Sequence, residues 1–198
     1  RPTGAFEPSV LDPELVKTWV QGRTRHEVTR TWYDEPLTGL NVPGFTQDNL
    51  RLRVASTTYQ EEYDPDPLTY DHATHYSYDI HGNVKSLVQD LPQMALEATA
   101  GADPAEPMRW KRLDYTYDLI SGNVLRVDYQ NGLPDQMHHL YNYDADNRLT
   151  FVQTSVDAMN WYMDAEYFYY PHGPLERVEL GNSKVQGMDY AYTLQGWL

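Results

Sequence analysis

The stretch Tyr76-Ser77-Tyr78-Asp79-Ile80-His81-Gly82-Asn83-Val84 decides the fold. Tyrosines at i and i+2 lie on one face of an extended strand. The aspartate after them can accept a hydrogen bond from backbone two residues on and start a turn. Gly82 tolerates the positive φ that a tight reversal requires. Val84 then opens a returning strand. The stretch predicts one β-hairpin: strand, short turn, strand.

The same pattern recurs four times. It reads Tyr115-Thr-Tyr117-Asp118 with Gly122-Asn123-Val124, Tyr141-Asn-Tyr143-Asp144 with Asn147-Arg148-Leu149, Tyr167-Phe-Tyr169-Tyr170 with Gly173-Pro174-Leu175, and Tyr190-Ala-Tyr192-Thr193 with Gly196-Trp197-Leu198. The first tyrosines follow one another at 39, 26, 26 and 23 residues. A sixth, weaker copy is Trp32-Tyr33-Asp34 with Gly39-Leu40. In the second copy the glycine comes one residue later, which predicts a bulge or a longer turn. A second aliphatic follows the first by three positions, at Leu87, Val127, Val152 and Val178. Plain alternation would put the two on opposite faces. Either both faces are partly covered, or a bulge intervenes.

Composition agrees with strands. The 198 residues include 17 Tyr, 13 Pro and 12 Gly, a mixture that favours strands and turns over long helices. Fifteen Lys and Arg against 29 Asp and Glu leave a net charge of −14, which repels a phosphate backbone and argues against nucleic acid as a partner. With no cysteine there is no disulfide framework, thiol nucleophile or cysteine zinc site. No run approaches the roughly 18 apolar residues of a membrane-spanning helix.

The pattern divides the chain into a divergent part, 1–69, and the hairpin repeats of 70–198. Residues 89–109 read as a surface insertion with a helical turn near Met94–Ala98. Asp12-Pro13-Glu14 reads as a short helix start. Residues 50–60 alternate cleanly and read as a strand. Arg1 at one end and Leu198 in mid-hairpin at the other read as cuts through a longer chain. The cut β-edges then need cover from the rest of that chain or from a partner protein.

Tyr78-Asp79…Gly82-Asn83-Val84, Tyr117-Asp118…Gly122-Asn123-Val124 and Tyr143-Asp144…Asn147-Arg148-Leu149 resemble the YD-repeat, or rearrangement-hot-spot (RHS), family. The run Asp189-Tyr-Ala-Tyr-Thr-Leu-Gln-Gly-Trp-Leu198 resembles the version in large surface or secreted proteins of Bacteroidetes-type bacteria. The likeness covers 70–198 well and 26–69 loosely. It departs at Tyr170 and Thr193, where the family's aspartate is missing. The resemblance implies an all-β spiral of consecutive antiparallel hairpins forming part of a cocoon-like shell. It also implies a secreted or cell-surface bacterial protein that encloses or presents a C-terminal toxic or variable domain. The family's self-cleaving aspartate segment has no match here, so no catalytic residue carries over.

Other residues invite sharper chemistry. His72, His75, His81, His138 and His139 raise a metal site, but His72 and His75 fall on opposite faces of a strand, and His81 and His172 hold equivalent turn positions. Glu61-Glu62-Tyr63-Asp64-Pro65-Asp66-Pro67 offers carboxylates for calcium, yet it lacks the spacing and glycine of a calcium loop and reads as a solvated acidic turn. No carboxylate pair or Gly-x-Ser-x-Gly elbow stands out, so no enzyme, cofactor or metal is expected. Trp110, Trp161 and Trp197 could stack on sugars; core packing is the simpler reading. Two functions remain: a structural shell segment, or a surface module whose tyrosine-rich faces hold carbohydrate or a partner. Shell use predicts Tyr78, Tyr117, Tyr143 and Tyr169 packed between neighbouring hairpins. Carbohydrate binding predicts exposed rings beside polar groups.

Overall fold

The computed structural model describes residues 17–19, 22–96 and 109–196. The fold is all-β: eleven antiparallel strands form one sheet, in which each strand pairs with the strands before and after it in sequence. They are β1 (His26–Tyr33), β2 (Val54–Glu62), β3 (His72–Tyr78), β4 (Val84–Asp90), β5 (Trp110–Tyr117), β6 (Val124–Tyr129), β7 (Met137–Tyr143), β8 (Leu149–Ser155), β9 (Tyr162–Tyr169), β10 (Leu175–Leu180) and β11 (Gln186–Asp189). A one-turn helix, α1 (Pro92–Leu96), follows β4. The insertion read at 89–109 therefore starts later, because Gln89 and Asp90 still belong to β4. Ala98 of the expected helical turn, the Asp12–Glu14 helix start, Trp197 and Leu198 lie outside the described residues. Residues 26–62 form the first hairpin of the same sheet, so the divergent part is not set apart by a break in pairing.

Four of the Tyr-x-Tyr pairs end a strand at the expected turn; in the fifth copy β11 stops at Asp189, so Tyr190-Ala-Tyr192 lies past the strand although its turn residue keeps the same sign of φ. Gly82, Gly122, Asn147, Gly173 and Gly196 all have positive φ, between 60° and 114°. The turn closes by the same backbone bonds with or without the aspartate. Asp79 N–H donates to Asn83 O at 2.9 Å and Gly82 N–H to Asp79 O at 3.2 Å; Tyr170 N–H donates to Pro174 O and Gly173 N–H to Tyr170 O, both at 2.9 Å. In the second copy Gly122 N–H reaches back four residues to Asp118 O, so the extra residue lengthens the turn.

A bulge does occur one residue into every returning strand. Tyr78 pairs with Val84 and Ser77 with Ser86, which leaves Lys85 unmatched. The same shift leaves Leu125, Thr150 and Glu176 unmatched in β6, β8 and β10, and Ala55 in β2. The extra residue restores phase, so aliphatics three apart return to one face. Tyr76 consequently lies opposite Leu87, Tyr115 opposite Val127, Tyr141 opposite Val152 and Tyr167 opposite Val178. Such aromatic–aliphatic cross-strand pairs are a favoured unit of sheet stabilisation.

The weak first copy departs from expectation. Gly39-Leu40 does not lead into a strand. The returning strand starts at Val54, opposite Tyr33. Leu52, at φ 59°, takes the position that glycine holds elsewhere, and Asp34 N–H donates to Arg53 O. Residues 35–50 are thus an excursion inserted into a hairpin turn. The strand read at 50–60 shortens to Val54 onward for the same reason. Leu37 of the excursion buries against Tyr70 and Ala73, with Trp32 and Leu40 packed beside them. Leu50 buries against Ala55 and Tyr78. Residues 47–49 act as a strand partner for the end of β3: Gln47 Nε2 donates to Ala55 O and Tyr76 O, and Tyr78 N–H donates to Asp48 O.

Candidate interaction face

The two tyrosines of each pair do different work. The hydroxyl of the second one crosses to the preceding hairpin and donates to the carbonyl of its first returning residue. Tyr78 reaches Val54 O at 2.8 Å, Tyr117 reaches Val84 O at 2.9 Å, Tyr143 reaches Val124 O at 2.9 Å and Tyr169 reaches Leu149 O at 2.8 Å. The accepting carbonyl sits next to the bulge in each case, where the ladder is locally interrupted. The tyrosine hydroxyl supplies a partner there. Sequence reading found the tyrosines but not this bond, whose acceptor lies 19–33 residues away.

The rings are mostly half-buried. Tyr76 stacks on Tyr78 with centroids 6.4 Å apart, and Tyr115 on Tyr117 at 6.3 Å. Tyr78 is buried, whereas Tyr76, Tyr115, Tyr117, Tyr141, Tyr143, Tyr167 and Tyr169 are each partly exposed. Burial pushes the phenols of Tyr78, Tyr115, Tyr117, Tyr141, Tyr143 and Tyr169 above their ordinary range, with like-charged neighbours adding to it. Tyr190 and Tyr192 are partly exposed as well; Tyr192 meets Tyr170 edge-on at 6.3 Å.

At the turns the aspartates serve the backbone. Asp79 Oδ1 accepts from the N–H groups of His81, Gly82 and Asn83, and Asp144 Oδ1 from those of Asp146 and Arg148. Asp118 Oδ2 accepts from Ser121. Burial raises the Asp79 carboxyl somewhat, but its hydrogen bonds from Asn83, Gly82 and His81 outweigh that and hold it below the usual range. In the acidic run, Asp64 and Asp66 likewise accept backbone N–H groups two residues on.

The opposite face is polar and partly roofed. His75 is fully buried; its Nδ1 lies 2.8 Å from Ser56 Oγ, and its Nε2 has no hydrogen-bond partner. Burial holds the imidazole at about 4, with Arg109 lowering it further and Asp90 opposing. Asp90, also fully buried, accepts two bonds from Arg109 and one from Tyr70. His138 is buried against Asp128, at 2.5 Å, and Arg126 pairs with the same carboxylate at 2.7 Å. Sequence alternation separated His72 from His75, and the structure leaves His72 exposed. Among the described residues no three His, Asp or Glu side chains converge as metal ligands.

Trp110 and Trp161 are not core residues. Trp110 is half-buried with the Arg109 guanidinium 4.3 Å from its ring centroid, and Trp161 carries Arg126 at 5.7 Å. A single sheet has too little apolar cover on either face to enclose them. Among the described residues no helix is long and apolar enough to cross a membrane. No protein-family model matches the chain, and no curated protein matches it.

Proposed function

We propose that this chain is a wall segment of a hairpin-built shell in a large secreted or cell-surface bacterial protein of the YD-repeat type. In this reading the sheet encloses or presents another part of its own polypeptide, a toxic or variable domain. One observation carries it: four equivalent tyrosine hydroxyls each bond to the backbone of the preceding hairpin. A residue whose polar tip is spent on its neighbour is a strut that sets the spacing of hairpins. The unspent part, the half-exposed rings, offers apolar surface along the sheet, suited to lie against enclosed protein. The alternative, a carbohydrate-binding face, calls for exposed rings beside polar groups, whereas Tyr78, Tyr117, Tyr143 and Tyr169 are buried or half-buried with their hydroxyls bonded to the neighbouring hairpin.

A photo-crosslinker at Tyr141, in the protein expressed from its whole reading frame, tests this. Crosslinks from Tyr141 to a segment of the same polypeptide outside these 198 residues are expected. Crosslinks only to other proteins, or saturable binding of a defined oligosaccharide to the tyrosine rings, would overturn it.

A further inference from the structure

The excursion 35–50 is not needed to close its hairpin, because the other copies close with a four- or five-residue turn. Loops longer than the fold requires are commonly functional. This one builds a groove of about 290 Å³ against the end of β1, walled by Trp32, Tyr33, Asp34, Glu35, Pro36 and Pro67. That volume is at the small end for ligand pockets, which run from roughly 300 Å³ upward. The walls combine two ring systems, two carboxylates and two stiff prolines.

We propose that this groove binds an organic cation, a primary ammonium or guanidinium group on an alkyl stem, as found on a lysine or arginine side chain of a partner polypeptide. The chemistry is one the chain already uses internally. Arg25 and Arg30 lie 4.3 and 4.9 Å from the Tyr63 ring centroid, Arg53 lies 5.5 Å from that of Tyr78, and Arg148 lies 4.7 Å from that of Tyr169 while also pairing with Asp144. Ring face plus carboxylate is the full cation seat at Arg148, with Tyr169 and Asp144, at Arg109, with Trp110 and Asp90, and at Arg126, with Trp161 and Asp128. The groove offers the same pair of elements without a cation of its own. Glu35 and Tyr33 are both exposed, Tyr33 to 59%. Asp34 gives one oxygen to Leu52 N–H and Glu35 makes no side-chain bond or ion pair.

Two backbone features set the carboxylates in place. Asp34 has φ 68°, unlike Asp79, Asp118 and Asp144 at the equivalent position. A non-glycine residue held there is strained, and such strain is often kept at functional positions. Glu35 N–H donates to Tyr33 O at 2.8 Å, a tight turn that keeps both residues on the groove wall. The net charge of −14 draws cations toward the chain at long range.

The test uses the ¹⁵N-labelled 198-residue chain with three probes: N-acetyl-lysine methylamide, N-acetyl-arginine methylamide and the uncharged N-acetyl-norleucine methylamide. The indole N–H resonance of Trp32 and the amide of Glu35 should shift saturably with both cations and stay put with norleucine. Glu35→Gln should weaken binding about tenfold by removing the charge-assisted partner. Tyr33→Leu should weaken it through the lost ring face. Both positions are exposed, so amide resonances elsewhere report an intact fold. Three results would overturn the proposal: no saturable shift up to roughly 10 mM probe, equal shifts with norleucine, or unchanged affinity in Glu35→Gln.

Discussion

Replacing His75 by asparagine removes an imidazole that the fold buries without a partner for Nε2, while the asparagine Oδ1 can still accept from Ser56 Oγ. In the folded chain His75 titrates at about 4, against an ordinary value of 6.5. The folded state therefore binds the proton less well than the unfolded chain. Stability that is fully present above pH 6.5 is lost as pH falls from 6.5 toward 4, and the loss levels off below 4. A displacement of this size corresponds to about 3 kcal/mol at full extent and about 2 kcal/mol by pH 5. Carboxylates titrate across the same window, so the informative quantity is a difference. Urea unfolding of the natural chain and of His75→Asn, from pH 7.5 to 4.5, should give curves that converge by about 2.5 kcal/mol at the acid end. Arg109 supports the low value and Asp90 resists it, so Asp90→Asn should push the His75 midpoint lower still. Parallel curves for the natural chain and His75→Asn would refute the reasoning, as would an NMR midpoint near 6.5 for the His75 ring.

Two further outcomes concern the repeat. Tyr117→Phe and Tyr143→Phe should each cost about 1 kcal/mol in urea unfolding, the worth of one hydroxyl–carbonyl bond, whereas Tyr78→Ala should cost about 3–5 kcal/mol because Tyr78 is buried in a cluster with Leu50 and Ala55. Equal costs for Tyr78→Ala and Tyr117→Phe would deny that burial decides between them. Asp144→Ala should lower the urea midpoint yet leave the turn closed, as Tyr170 shows a turn closed without the carboxylate; loss of the Asn147–Asp144 backbone bond by amide exchange would contradict this.

The local features were legible in the chain before any fold. Tyr-x-Tyr spacing, the aspartate and the positive-φ residue act within one hairpin, through dihedral preference and bonds spanning two to five residues, so each copy declares its own turn. Even the lengthened turn at Gly122 was visible as a one-residue offset. Tertiary structure decided what depends on partners distant in sequence. The bulges at Lys85, Leu125, Thr150 and Glu176 resolve the three-residue spacing of the aliphatics, and no residue type announces them, because a bulge is a mismatch between two strands. Leu52 took the turn position expected of Gly39, because pairing of Val54 with Tyr33 outweighs the strain of a leucine at positive φ. The tyrosine hydroxyls found carbonyls one hairpin back, and His75 and Asp90 became buried only when the excursion 35–50 and Tyr70 folded over their face. Dihedral preference is written into single residues; register, burial and the choice of hydrogen-bond acceptor belong to pairs that only folding brings together.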